Sequence, residues 1–84
     1  MPLNPEVIRA AAREAVRGMI RSESVGDLDP LISSGRIDSL SILKLIGQLE
    51  AKLGIRLPVE QLQPDDFETV DLIVDTVERA AIQQ

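Results

Sequence analysis

Asp38 and Ser39 stand side by side in the stretch Leu-Ile-Ser-Ser-Gly-Arg-Ile-Asp-Ser-Leu of residues 31–40, directly ahead of a helical pattern. A serine hydroxyl in that place could act as a nucleophile, and a nucleophilic serine needs a base to take its proton. The chain contains no histidine. Lys44 is the remaining candidate base, but a lysine on a helix surface has nothing to lower its pKa. The run Gly35-Arg36-Ile37-Asp38-Ser39-Leu40 is not a G-x-S-x-G elbow, and no strand pattern precedes it. Serine catalysis is therefore disfavoured. Asp and Ser also both favour helix starts, because their side-chain oxygens accept first-turn N–H groups. The Asp-Ser-Leu triplet by itself thus reads equally well as a plain cap.

The inventory narrows the alternatives further. At 84 residues the chain is read as one domain, residues 1–84, with a modest core. It has no cysteine, which removes disulfides and thiolate metal sites along with the imidazole ones. Phe67 is the only aromatic residue, so no platform for stacking bases or sugars can be built. The net charge of −5 lies entirely in residues 37–84, where four basic residues face nine acidic ones; residues 1–36 sum to zero. That balance argues against nucleic-acid binding, and the acidic half reads either as solubility or as a docking surface for basic partners. No apolar stretch approaches the roughly 20 residues that span a bilayer, so no membrane insertion is expected. The absence of a charged-then-apolar leader pattern makes a cytoplasmic location the expectation.

Three helices and a long loop must position the pair. The first helix is predicted over residues 5–21, with Asn4 as cap and Pro5 in the first turn. Ile8, Ala12, Ala15 and Met19, with Val16 and Ile20 beside them, follow its period. Arg9, Arg13, Arg17 and Arg21 recur every four residues as an outer stripe, within pairing distance of Glu6 and Glu14. Residues 22–37 are turn-rich yet contain Val25, Leu28, Leu31, Ile32 and Ile37. A long loop with its own apolar residues is expected to pack onto the core and deliver Asp38 and Ser39 to a fixed place. The second helix is predicted over residues 39–53, with Ile42, Leu45, Ile46, Leu49 and Leu53 as its core face, Asp38 as cap and Gly54 as stop. Pro58 and Pro64 break residues 55–67 into short turns, one over 59–63 and another over 65–68. Thr69 then caps a last helix whose core face is Val70, Ile73, Val74, Val77 and Ala81. The expected fold is all-α, a small four-helix bundle of three main helices and one short one.

These motifs, in this order, resemble the acyl and aminoacyl carrier proteins over nearly the whole chain. A Leu-x-x-x-Gly-x-x-Asp-Ser-Leu run is matched by Leu31, Gly35 and Asp38-Ser39-Leu40. Leu49-Glu50 with Leu53, then Leu57-Pro58, then Thr69-Val70 match the family's later landmarks. The resemblance implies that a phosphopantetheinyl transferase attaches 4'-phosphopantetheine from coenzyme A to Ser39. Asp38 would help hold the metal ion during that transfer, with no metal permanently bound. The arm's thiol would then hold an acyl or aminoacyl group as a thioester. An exposed hydroxyl at a helix N-terminus suits a phosphate, and a chain that brings no catalytic group needs neither His nor Cys.

In the family the second helix meets the partner enzymes, and here Leu40, Leu43, Lys44 and Gly47 lie off its core stripe. The fatty-acid type has an acidic second helix. This one sets Lys44 and Lys52 against Glu50, with Asp38 ahead, and is nearly neutral. Gly47 replaces a bulky contact residue at a cost of roughly 1 kcal/mol relative to alanine, a cost tolerated where a partner approaches closely. Both departures point away from fatty-acid synthase. The Ser-Gly-x-x-Asp-Ser run looks more like stand-alone carriers served by dedicated ligases, the D-alanyl type among them. The expected partners are a phosphopantetheinyl transferase, an acyl- or aminoacyl-carrier ligase and a downstream transferase or synthase, with the carrier a monomer. The competing reading is a degenerate carrier, a helical adaptor without cofactor. Ala11, Ala12 and Ala15 either leave room for cargo inside the bundle or allow close helix packing.

Overall fold

The computed structural model describes residues 4–20 and 25–82. Helix α1 spans Pro5–Met19, α2 Ser39–Leu53 and α3 Val70–Ile82. Among the described residues there is no strand. Asn4 caps α1 by accepting the Glu6 N–H at 2.7 Å, with Pro5 in the first turn. The helix closes earlier than its periodicity predicts: Ile20 leaves helical geometry while its N–H still reaches the Val16 carbonyl at 3.0 Å. Arg21, the predicted end, lies outside the described residues. Helix α2 ends where Gly54 turns left-handed, at φ 65°, and donates to the Glu50 carbonyl at 2.9 Å. An L side chain is disfavoured in that conformation, which explains glycine there. Thr69 caps α3 by accepting the Leu72 N–H at 3.1 Å.

The short fourth helix of the expected bundle is realised as two 3-10 turns, Val59–Gln61 and Pro64–Phe67. Pro64 occupies the first turn of the second, and Gln63 ahead of it donates its N–H to the Asp66 carboxylate at 2.8 Å. The link from α2 to the first turn is held by Glu50, whose carboxylate accepts the Leu57 N–H at 2.8 Å. The Glu50 and Leu57-Pro58 landmarks of the sequence are therefore two ends of one contact.

Helix α1 packs against both α2 and α3, and the second 3-10 turn bridges α2 and α3. That turn drives Phe67 into the centre of the core. Ala11, Ala12 and Ala15 are buried in the same core cluster, where small side chains let α1 lie close to its neighbours. On α3 the buried position near the C-terminal end is Ala80, and Ala81 is half-buried. The long loop does pack down, but not with every apolar residue: Leu31 and Ile37 are 0% and 1% exposed, whereas Leu28 is 74% exposed.

The loop leucines are therefore not equivalent. Leu31→Ala is expected to cost about 2–5 kcal/mol in denaturant unfolding, as for other buried leucines. Leu28→Ala is expected to change stability by no more than about 0.5 kcal/mol. Equal effects of the two substitutions would contradict this packing.

Candidate functional site

Ser39 is the first residue of α2, and the cap beside it is Asp38. The Asp38 backbone is extended, with φ −99° and ψ 178°. Its side chain accepts the Ser41 N–H at 2.8 Å, and its carbonyl accepts the Ile42 N–H at 3.0 Å. The Ser41 backbone amide first, and the Ser41 hydroxyl next, hold the Asp38 carboxyl below its ordinary range. Asp38 therefore does the capping, and Ser39 is left over. It is exposed, and no hydrogen bond among the described residues engages its hydroxyl. The plain-cap reading thus applies to Asp38 and not to Ser39.

The loop that delivers this pair is closed on itself and tied to the start of α3. The Ile37 N–H reaches the Leu31 carbonyl at 3.0 Å, and the Gly35 N–H reaches the Ile32 carbonyl at 3.0 Å. Gly35 sits at φ 80°, a turn conformation that favours glycine. The Ser34 hydroxyl donates to the Pro30 carbonyl at 2.6 Å. Glu68 then takes three consecutive loop amides. Its carbonyl accepts Leu31 N–H at 2.7 Å, and its carboxylate accepts Ile32 N–H at 2.7 Å and Ser33 N–H at 3.0 Å. The Ser33 backbone amide is the chief cause that keeps the Glu68 carboxyl below its ordinary range.

At the other end of the loop, Asp27 gathers two arginines of the stripe, Arg9 and Arg13. Arg13 makes a two-bond fork to it at 2.9 and 2.7 Å, and Arg9 reaches it at 2.7 Å. Arg9 also bonds Asp71 in the first turn of α3, and the Asp71 N–H donates to the Asp27 carbonyl at 3.1 Å. Arg13 and then Arg9 hold the Asp27 carboxyl low. Among the described residues these contacts, with Lys52 to Glu14 at 2.9 Å between α2 and α1, take the place of the expected pairs within α1. Neither Glu68 nor Asp27 is distinguished by its neighbours in sequence. Glu68 and Ser33 are 35 positions apart, so no local signal marks their contact.

Leu40, Leu43, Lys44 and Gly47 form one face of α2 at i, i+3, i+4 and i+7, opposite the buried Ile42, Leu45, Ile46 and Leu49. Leu40 and Leu43 are 74% and 57% exposed, and Lys44 and Gly47 are exposed as well. The face is mixed: two bare leucines, one cation and a glycine where an added side chain would meet nothing within 4 Å among the described residues. Among the described residues no cluster of potential ligands could hold a resident metal ion, and no helix is long and apolar enough to cross a membrane.

The chemistry open to this arrangement is narrow. It offers an accessible hydroxyl at the positive end of a helix, a carboxylate one residue away that is ionised at neutral pH, and an apolar approach surface. A group attached through phosphate would meet the first-turn amides, and nothing among the described residues walls it in. Residues 6–77 match the family described as the phosphopantetheine attachment site. The chain belongs to that family, the carrier proteins whose cofactor is 4'-phosphopantetheine. It is 37% identical over 57 residues to a D-alanyl carrier protein of Streptococcus thermophilus (strain ATCC BAA-491 / LMD-9), covering 66% of this chain and 72% of the relative. A D-alanyl carrier protein of Streptococcus sanguinis (strain SK36) matches at 37% over 57 residues, with the same shares. That of Streptococcus pyogenes serotype M1 matches at 38% over 50 residues, covering 60% of this chain and 63% of the relative.

Two outcomes follow from the site's geometry. Gly47→Ala adds a methyl group in open space and removes glycine's backbone freedom, so it is expected to stabilise by about 1 kcal/mol. In a scan that amounts to a midpoint rise of about 4–8 °C; a fall would mean the position is strained. Asp27, Asp38, Glu14 and Glu68 are all held below their ordinary values of 3.8 for Asp and 4.5 for Glu. The folded state thus favours their ionised forms. The resulting stability is complete above the ordinary values and is lost as pH falls through the lowered ones. Thermal midpoints are expected to hold from neutrality to about pH 5 and to drop below about pH 4. A midpoint that stays level to about pH 2 would contradict the assigned partners.

Proposed function

We propose that this chain is a stand-alone carrier that bears 4'-phosphopantetheine on the Ser39 hydroxyl. A phosphopantetheinyl transferase attaches the arm from coenzyme A. Asp38, ionised and adjacent to Ser39, offers a hard oxygen ligand to the divalent cation of that reaction. Once in place, the arm supplies a terminal thiol that holds an acyl or aminoacyl group as a thioester. The chain catalyses nothing itself. It is loaded by a ligase, emptied by a downstream transferase or synthase, and acts in the cytoplasm. Leu40, Leu43, Lys44 and Gly47 form the surface these enzymes read.

One observation carries this reading: an exposed serine hydroxyl opens a long helix, while the residue before it does the capping. The cargo is best read as aminoacyl. The relatives named as D-alanyl carrier proteins support it, and so does the first turn of α2, which has no acidic residue to meet the basic surface of a fatty-acid enzyme.

Intact mass tests the proposal after incubation with coenzyme A, magnesium and a promiscuous transferase. The wild-type chain is expected to gain one phosphopantetheine and Ser39→Ala none. No gain by folded wild-type protein would favour the adaptor reading. Asp38→Asn separates the two tasks of Asp38, because asparagine caps a helix about as well as aspartate. It is expected to keep the thermal midpoint while slowing modification by about tenfold or more. Unchanged modification would remove the cation role.

A further inference from the structure

The loop of residues 31–37 is held in two ways. Leu31 and Ile37 are buried, and such contacts fix depth but not direction. Direction comes from hydrogen bonds, and among the described residues three that tie this loop to the rest of the fold meet on Glu68. Its carbonyl takes the Leu31 N–H, and its carboxylate takes the N–H groups of Ile32 and Ser33. Two successive amides, those of Ile32 and Ser33, turned toward one carboxylate make a small anion-binding concavity, filled here by the chain's own side chain. Glu68 lies between two residues that are each 1% exposed, Phe67 and Val70, so the group that grips the loop is anchored on both sides. The Ile37 amide closes back on the Leu31 carbonyl, and the next residue is Asp38. The line of contacts therefore runs from the start of α3, through Glu68 and the closed loop, to the cap of α2 and Ser39.

We propose that Glu68 is a positioning residue for the modification of Ser39: its carboxylate holds residues 32 and 33, and so fixes the loop surface that the transferase must meet on its way to the hydroxyl. This rests on the attachment reading above. Glu68 touches neither Ser39 nor any reacting atom. It acts by keeping the loop in the one arrangement that the transferase binds. A loop that samples other arrangements lowers the fraction of competent carrier, which raises the apparent KM and leaves the bound complex as reactive as before.

Removing the carboxylate leaves the Leu31 bond to the Glu68 backbone carbonyl and the burial of Leu31 and Ile37, so the loop loosens without leaving the fold. The experiment pairs transferase kinetics with amide exchange in wild type, Glu68→Ala and Glu68→Gln. Glu68→Ala is expected to speed exchange at Ile32 and Ser33 by about tenfold or more, with Leu49 and Ile73 in the core nearly unchanged. The KM for the carrier is expected to rise by about fivefold or more at constant kcat. Glu68→Gln keeps an acceptor oxygen without the charge. It is expected to recover part of both effects, since a charged acceptor bonds about twice as strongly as a neutral one.

Released amides with an unchanged KM would overturn the proposal, as would unchanged exchange at Ile32 and Ser33. A KM rise matched by faster exchange at Leu49 and Ile73 would also overturn it, because it would reflect loss of the whole fold. If Glu68→Ala fails to fold, Glu68→Gln decides by the same criteria. A folded wild-type chain that takes no phosphopantetheine overturns the attachment reading and this role with it. Normal wild-type modification with an indifferent Glu68→Ala overturns this role alone.

Discussion

Three consecutive backbone amides, those of Leu31, Ile32 and Ser33, arise in a loop that belongs to no helix or sheet. Backbone donors drawn toward a core need acceptors, and a missing one costs as much as a lost hydrogen bond. Leu31 cannot be buried at 0% exposure unless its own N–H is satisfied there. Glu68 meets that requirement with its carbonyl and satisfies the next two amides with its carboxylate. Much else follows from this contact. Leu31 can fill the core, Ile37 can close on its carbonyl, and the chain leaves the loop at Asp38 in the extended geometry of a helix cap. Helix α2 begins at the next residue, Ser39.

The entry to the loop is held electrostatically. Arg9 and Arg13 from α1 converge on Asp27, and Arg9 continues to Asp71 on α3. Single ion pairs at a surface contribute little. This group differs in that Arg13 meets Asp27 through a planar two-bond fork and the Asp27 carbonyl takes the Asp71 N–H as well. The arrangement joins α1, loop and α3 at one end, while Glu68, between the second 3-10 turn and α3, holds the loop further along. A segment that looks unstructured by composition is thereby a fixed part of the fold. It also explains part of the charge asymmetry: two of the acids of the second half, Glu68 and Asp71, are engaged by loop amides and an α1 arginine.

Around Ser39 the chain does little beyond presentation. It contributes a hydroxyl, a helix end with its partial positive charge and a carboxylate kept ionised by the amide it caps. For the attachment proposed at Ser39, an open site is easier for enzymes to reach than a pocket. Helix α2 is divided into a buried face and a bare one. Ile42, Leu45, Ile46 and Leu49 hold the helix in place, which frees Leu40, Leu43, Lys44 and Gly47 from structural duty. Among the described residues a methyl group at Gly47 would meet nothing within 4 Å beyond its own helix, so their packing does not explain a glycine in the middle of that helix.

What the amino-acid order determined alone is whatever depends on near neighbours. Helical periodicity marks the core faces of α1, α2 and α3 because residues three and four apart share a face. Asn4, Asp38 and Thr69 announce helix starts, and Gly54 a helix end, because caps are satisfied within a turn of the chain. The Asp38-Ser39-Leu40 triplet and its spaced landmarks pointed to the carrier family for the same reason. The tertiary structure decided the rest. It took Leu31 and Ile37 into the core and left Leu28 outside, though all three are apolar residues of one loop. It left the Ser39 hydroxyl exposed and outside the hydrogen bonds of the described residues. It turned Arg9 and Arg13 of the stripe into a clasp on Asp27, and it brought Glu68 to amides 35 and 36 positions away. A carboxylate's partners at that separation are chosen by how the helices pack, and nothing in the residues beside Glu68 or Asp27 carries that information.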